Sequence, residues 1–403
     1  MILKQLILQV SLIIISVLTL HAQSTNVRLD NFFIRKMKKS GRIGLQAAFI
    51  SDGELTWKGS YGVKTYKTED KINDSTLFMI ASTSKPVTAL AIMKLYDMGK
   101  VNLDDDINVY LPFNIRNPNH PDDKITCRML LSHVSSIRDN WEMLEKGYTI
   151  DQGGDSPMCL EDFIKNYLLE GGKFYDKKKN FISQAPGTQS RYSNVGYNLI
   201  AYVVEKISNR PFNEFMAEEV FKPLKMNNTY WFFSEIPHQN LATPHNMPYK
   251  ETDFKGTQVL KHFGYPGYAS GQLRTTVSDY AQILKLMVND GRIDEVPFVS
   301  RATMKEFLKI QYPEVNKWQA ISWNYNEFES ALFYFFMPRL PSHTGLDPGM
   351  ATVVSFDPKT KSGMMIFSNS PTTTFYSEKI IYLDMMKRLY KEAKRRTNHA
   401  NAN

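Results

Sequence analysis

The sequence predicts an α/β protein of the α+β type whose strands come from both ends of the chain, with a mainly helical unit inserted between them. Three observations carry this reading: a period-two hairpin pattern near the N-terminus, a second strand pair near the C-terminus, and helical periodicity through most of the middle.

From Asn26 to Ser40, Leu29, Phe32, Phe33 and Met37 recur at helical spacing until Gly41 stops the pattern. Ile43, Leu45, Ala47 and Phe49 then alternate, Ser51-Asp52-Gly53 supplies turn chemistry, and Leu55 and Trp57 resume the alternation, which makes a β-hairpin. Helical spacing marks Ser82 to Met98, Thr126 to Leu131, Leu160 to Leu169, Val195 to Ile207 and Pro211 to Val220. Asp151 to Pro157 and Asp176 to Asn180, crowded with Gly, Asp and Lys, read as surface loops. The aromatic-rich stretch Trp323 to Phe336 reads as a core strand with a rim toward the cleft. Thr352 to Phe356 and Met364 to Phe367 flank the turn Asp357 to Gly363, and a helix follows from Ser377 to about Lys394. The expected units are therefore 26–105 with 265–396 (α/β), 106–264 (helical) and a tail at 397–403, with a ligand cleft between the two units.

Composition narrows the function. At 403 residues, 42% apolar and 22% charged, the chain is long enough to bury a large core and too apolar for disorder. A formal charge of +8, spread over this length, gives no case for nucleic acid. Two cysteines, Cys127 and Cys159, exclude a disulfide framework and any Cys-rich zinc module. Lys4, the apolar run Leu6 to Leu20 and the small Ala22 read as a signal peptide over residues 1–22, too short and interrupted to serve as a permanent span. The mature protein is therefore expected in the periplasm or secreted, with no stable membrane span. No cysteine near the cleavage point offers a lipid acceptor. In an oxidising space Cys127 and Cys159 could pair, although Cys127 lies in the apolar run Ile125 to Leu131, where a buried free thiol is the simpler account.

Ser82-Thr83-Ser84-Lys85 is the single Ser-x-x-Lys of the chain and sits where a helix should begin. A spacing of three puts both side chains on one helical face, so a lysine of lowered pKa could take the serine proton, while the helix N-terminus favours negative charge near Ser82. Taken alone, Ser82 is equally a helix cap and Lys85 a solvated cation. Tyr192-Ser193-Asn194, the single Tyr-x-Asn, lies at a loop-to-helix boundary, where phenol and amide could carry protons and position a substrate; a plain N-cap by Ser193 or Asn194 over a packed Tyr192 fits the same residues. His343-Thr344-Gly345 precedes the Thr352 strand, read either as a close-approach edge or as a turn bearing a surface histidine.

With these three elements in this order, the chain resembles the serine β-lactamase and penicillin-binding-protein superfamily, in particular its class C β-lactamase, DD-peptidase, D-aminopeptidase and esterase branch. The resemblance extends through Phe78 to Ala91, Leu103 to Pro112, Ile125 to Ile137, Tyr192 to Lys206, Gly271 to Tyr280 and His343 to Phe356. It implies a β-lactamase/transpeptidase-like fold: an antiparallel sheet flanked by helices beside a helical domain. It further implies Ser82 as acylated nucleophile, Lys85 as its proton acceptor and Tyr192 as proton shuttle to the leaving group. Asn194 would steady Lys85 and the substrate amide, and the backbone N–H groups of Ser82 and Leu346 would form the oxyanion hole. His343, Thr344 and Gly345 stand where β-lactamases carry Lys-Thr-Gly. A histidine, partly charged at neutral pH, weakens carboxylate recognition and with it penicillin turnover.

The expected function is an exported serine hydrolase acting on D-amino-acid peptides, carboxylic esters or, weakly, β-lactams, with no cofactor and no metal. Its partners are small-molecule or short-peptide substrates, cell-wall fragments among them. The alternative is a penicillin or peptidoglycan-fragment sensor that acylates without deacylating. His133, within Leu130 to Ser136, is read as structural. His120-Pro121-Asp122-Asp123 lacks the three or four ligands a metal needs. The cluster Lys387, Arg388, Lys391, Lys394, Arg395 and Arg396 complements a helix C-terminus.

Overall fold

Five antiparallel strands form one sheet, and its order, β3-β4-β5-β1-β2, interleaves the two ends of the chain. They are β1 (Gly44–Ser51), β2 (Glu54–Gly62), β3 (Ser342–Asp347), β4 (Met350–Asp357) and β5 (Ser362–Ser368). The structure, a computed structural model, describes residues 27–237, 240–246, 256–329, 334–335, 337–371 and 375–400. The expected signal peptide lies outside the described residues.

Six helices matter below: α1 (27–39), α2 (Lys85–Asp97), α3 (Leu160–Leu168), α4 (Asn194–Ser208), α5 (Val277–Val288) and α6 (Phe375–Ala400). The hairpin turns at Asp52 and Gly53, both with positive φ (52° and 75°), the backbone that matches strand twist in a tight hairpin. The chain ends join where Leu45 faces Ser368 and Ala47 faces Ile366 across β1 and β5.

Period-two alternation along the central β1 sorts its side chains into two cores. Leu45, Ala47 and Phe49 pack with Leu29 and Phe33 of α1 and Met385 and Leu389 of α6. Ala48 and Ile50 face α5 and enter a larger core that continues without a break through α2, α3 and α4. Burying each such aliphatic or aromatic side chain contributes roughly 1.5–3 kcal/mol, and the shared core holds the strand-bearing ends rigidly against the helical middle.

Local departures have local causes. The helix expected from Ser82 opens as a 3-10 turn, Ala81–Ser84, before α2, whose Pro86 occupies the first turn where a missing N–H is harmless. The helix expected from Pro211 to Val220 is α-helical over Phe212–Met216 and widens into a π-turn over Ala217–Phe221. α6 continues past Arg396 to Ala400, into the segment expected as a tail. Trp323 to Phe336 is not a core strand: Ser322 and Glu329 take positive φ (61° and 49°), Asn324 makes only isolated bridges, to Gln319 and Ser342, and 325–328 form turns. Residues 330–333 and 336 of that stretch lie outside the described residues. Cys127 is a buried free thiol and Cys159 an exposed one. Among the described residues no helix is long and apolar enough to cross a membrane.

Candidate active site

The site begins with a strained elbow. Phe78–Met79 pairs with Arg274–Thr275, the chain turns at Ala81 with φ +49°, and Ser82 follows in the first helical turn, partly open to the cleft. A side chain in the left-handed region costs about 1–3 kcal/mol, so neighbours must over-determine it. They do: the hydroxyls of Thr83 and Thr352 donate to Ile80 O at 2.6 and 2.7 Å, Ser84 Oγ donates to Ala81 O at 2.7 Å, and Tyr280 donates to Thr83 O at 3.0 Å. Among the described residues no backbone carbonyl accepts the Ser82 N–H, as expected of a first-turn donor.

Lys85, on the same helical face, is buried, and its Nζ lies 3.0 Å from Ser82 Oγ, 2.6 Å from Asn194 Oδ1 and 2.6 Å from Ser270 O. The reading of Lys85 as a solvated cation is thereby excluded. Desolvation pulls the amine down to about 7, against the opposing pull of the carboxylates of Asp139, Asp347 and Glu327. An amide oxygen and a peptide carbonyl can only accept, so they engage two N–H bonds. In the neutral amine the lone pair is then left for the Ser82 hydroxyl.

Asp139, which no motif revealed, orders the Tyr192-Ser193-Asn194 corner. Its carboxylate accepts the N–H groups of Asn194 (2.9 Å) and Val195 (3.1 Å), Asn194 Nδ2 (2.7 Å) and Ser193 Oγ (3.2 Å). Ser193 caps α4 by accepting Gly196 N at 3.0 Å, so the cap and the functional reading hold together. His133, buried at φ +60°, accepts Ser193 N on Nδ1 at 3.2 Å and places its ring 4.4 Å from that of Tyr192. It supports the tyrosine from behind, in keeping with a structural part. The Tyr192 ring is 4.9 Å from Lys85 Nζ, and although the residue is 43% exposed along the cleft, burial of its phenol raises the pKa well above the usual value while the Ser82 hydroxyl pulls the other way. Tyr192 is thus a neutral phenol at pH 7, able to pass a proton and unsuited to start as a phenolate.

β3 forms the opposite wall. A Cβ at Gly345 would stand 2.6 Å from Ile80 O and 3.1 Å from Ser82 N, so only glycine lets the strand run this close to the elbow. Ser342 N donates to Asn324 O and Thr344 N to Glu327 Oε1, both on the outer edge of the sheet. Backbone direction repeats every two residues, which puts the Leu346 N–H on the same free edge, beside the cleft. Leu346 is 38% exposed. His343 is a buried strand residue and no turn histidine; burial and nearby Lys85 push its imidazole down to about 3. The expected partial charge at neutral pH is therefore absent, because the ring is desolvated beside an amine. Its Nδ1–H donates to Thr344 O at 2.7 Å, leaving Nε2 as an acceptor. Thr344 is itself held by Glu327 through both N–H and hydroxyl.

All eight sequence-predicted residues, Ser82, Lys85, Tyr192, Asn194, His343, Thr344, Gly345 and Leu346, meet at one cleft of about 1280 Å³. Three contributions were missed: Asp139, the Ser270 carbonyl, and Asp347, whose carboxylate accepts Tyr148 and Tyr265 hydroxyls at 3.0 Å each. The loop at 151–157, expected to be mere surface, lines the cleft through Asp155 and its neighbours. Ser270 and Asp139 both lie just outside stretches of the resemblance, Ser270 one residue before Gly271 to Tyr280 and Asp139 two residues after Ile125 to Ile137, and neither carries a motif of its own. Among the described residues no group of histidine, cysteine or carboxylate side chains is arranged to hold a metal.

A hydroxyl at hydrogen-bond distance from a desolvated amine, on a strained elbow beside backbone N–H donors, is a geometry suited to nucleophilic acyl transfer, and the five-stranded sheet with its helices is a β-lactamase/transpeptidase-like fold. The sequence profile described as Beta-lactamase matches residues 29–384, and the chain belongs to that family. Protein flp of Staphylococcus aureus strain MRSA252 is 22% identical over 348 residues, covering 85% of this chain and 62% of its own length, so the chain spans less than two thirds of that curated relative. Among solved structures, the D-amino acid amidase of Ochrobactrum anthropi SV3 superposes with a TM-score of 0.71 at 20% identity, over 93% of this chain and 99% of that one. The beta-lactamase/D-alanine carboxypeptidase of Yersinia pestis gives 0.65 at 18%, over 88% and 95%. These likenesses concern the fold.

Proposed function

We propose that this protein is an exported hydrolase working through an acyl-Ser82 intermediate on amide or ester carbonyls. Ser82 Oγ adds to the carbonyl carbon as its proton passes to Lys85 Nζ, and the oxyanion rests on the N–H groups of Ser82 and Leu346. The C–N or C–O bond breaks as a proton reaches the leaving group through Tyr192. Water then adds to the acyl ester, its proton passing through the same groups, and Ser82 Oγ regains its hydrogen as the acid departs. Asn194 holds Lys85 and the substrate amide.

The observation that carries this reading is Lys85 Nζ 3.0 Å from Ser82 Oγ with its other hydrogens engaged. The substrates, in order, are short D-amino-acid peptides of cell-wall origin, carboxylic esters and, slowly, β-lactams. The structural likeness to a D-amino acid amidase and to a D-alanine carboxypeptidase supports the first. Neutral His343 offers no permanent charge to a carboxylate, which places β-lactams last. Export rests on the leader-like residues 1–22.

The test is a panel of chromogenic ester, D-peptide anilide and cephalosporin on wild type and Ser82→Ala. Turnover that disappears with Ser82 supports the proposal, and equal rates in both proteins end it. Intact mass after penicillin separates the sensor alternative: a lasting acyl adduct on Ser82 without product release identifies a sensor, and steady product release excludes one.

A further inference from the structure

The edge of β3 that faces the nucleophile carries a carboxylate with unused capacity. Asp347 follows Leu346 and shares a strand face with Gly345, the residue whose missing side chain lets β3 abut Ser82. Two residues along a strand span roughly 7 Å, within reach of a substituent on an acyl group whose carbonyl points at the Leu346 N–H. The carboxylate lines the cleft together with Ser82 and Tyr192. Tyr148 donates to Oδ1 and Tyr265 to Oδ2, both at 3.0 Å, and these are its hydrogen-bond partners among the described residues. A carboxylate has about four acceptor sites, so two remain open. The tyrosines fix the group in place without neutralising it.

The neighbouring groups point the same way. His343, with its Nδ1–H spent on Thr344 O, presents only an acceptor nitrogen, and Glu327 is engaged with Thr344 on the same edge. Arg274, deep behind the cleft, spends its guanidinium on the carbonyls of Trp231, Gln272 and Phe263. Two lysines also line the cleft, Lys173 in a turn and Lys146 in a 3-10 turn two residues before Tyr148, and among the described residues neither makes a hydrogen bond or ion pair to Asp347. The edge thus offers acceptors and negative charge where the acyl substituents of a bound substrate would lie.

We propose that Asp347, clamped by Tyr148 and Tyr265, recognises an ammonium on the acyl donor. The site then prefers amides and esters of amino acids with an unblocked amine over N-acylated or carboxylate-bearing donors. This deepens the acyl-Ser82 reading and rests on it.

The experiment compares kcat/KM for alanine p-nitroanilide, N-acetylalanine p-nitroanilide and succinylalanine p-nitroanilide, in both enantiomers, on wild type, Asp347→Asn and Tyr265→Phe. In wild type the free amine should exceed the N-acetyl form by about tenfold or more, since losing a charge-paired contact is worth at least that. In Asp347→Asn the ratio should fall to within about threefold of one, with Tyr265→Phe between the two. A wild-type preference for the acetyl or succinyl substrate overturns the proposal, and so does a ratio untouched by Asp347→Asn. Melting curves report whether each variant is folded, and if Asp347→Asn is not, the ratio in Tyr265→Phe decides. Failure of the underlying reading looks different: wild type then shows no fluorophosphonate adduct on Ser82 and no Ser82-dependent turnover of any substrate.

Discussion

Asp139 accepts the Asn194 amide on Oδ2 at 2.7 Å, and the other end of that amide faces Lys85 Nζ at 2.6 Å. Since the two ends of a carboxamide are chemically opposite, one a donor and one an acceptor, Asp139 decides which face the lysine sees. A buried residue outside the motifs therefore sets the direction of the Lys85 lone pair.

Removing that carboxylate should disturb stability and chemistry together. Asp139→Ala strands the donors at the start of α4, and hydrogen bonds to a charged acceptor are worth about 1.5–3 kcal/mol each. A loss of about 2 kcal/mol or more is expected in urea unfolding. Fluorophosphonate labelling of Ser82 in the folded fraction should slow, while unchanged labelling would show that Asn194 orients itself without help.

The acylation rate should depend on pH with a midpoint near 7. Lys85, pulled down to about 7, accepts the Ser82 proton only when deprotonated, so the rate rises with pH through that value and then levels off. Lys85→Arg keeps a cation but cannot deprotonate, and should lie about 10²–10⁴-fold lower. Pre-steady-state bursts with a p-nitrophenyl ester measure both. A wild-type midpoint above 9 would mean the amine is not desolvated in solution.

Tyr192→Phe separates substrates by leaving group. An anilide or peptide nitrogen must be protonated as it departs, whereas p-nitrophenolate need not. The substitution should lower amide turnover by about 10²-fold or more and activated-ester turnover far less. Equal losses on both would assign Tyr192 to the attack on the carbonyl.

Gly345→Ala probes the approach of β3 to the elbow. The added methyl would lie 2.3 Å from Thr352 Oγ1 and 2.6 Å from Ile80 O, an overlap whose relief costs about 1–3 kcal/mol and moves Ser82 relative to the strand. A lowered melting temperature with near-complete loss of Ser82 labelling is expected; retained labelling would show slack in the wall.

His343 should make the protein acid-sensitive. Its folded pKa, about 3, lies below the ordinary 6.5, so between those values the unfolded chain binds the extra proton and stability falls as pH drops. His133, also buried and lowered, acts with the same sign. Unfolding free energy measured against pH should have a shallower slope in His343→Gln over that window.

Much of the frame is legible in local pattern. The alternation of Ile43 to Phe49 around Asp52-Gly53 and the 3.6-residue spacing of Val195 to Ile207 announce β1, β2 and α4, because each is enforced by the period of its own backbone. Ser82 and Lys85 are paired by a spacing of three on one helix. Trp323 to Phe336 misled, since aromatic content describes burial and says nothing of the positive φ values that bend the chain there.

What the sequence alone determined is the set of candidate reacting groups, Ser82, Lys85, Tyr192 and the strand His343-Thr344-Gly345, and the sharing of the sheet between the two chain ends. Only the tertiary structure decided their state: the amine drawn toward neutrality, the imidazole kept uncharged, Asp139 behind Asn194, the Ser270 carbonyl on Lys85, and Asp347 held by two tyrosines. Ionisation follows from desolvation and from partners far away in the chain, such as residue 270 for Lys85 and residue 139 for Asn194. No periodicity, which reports neighbours three or four positions apart, can encode that.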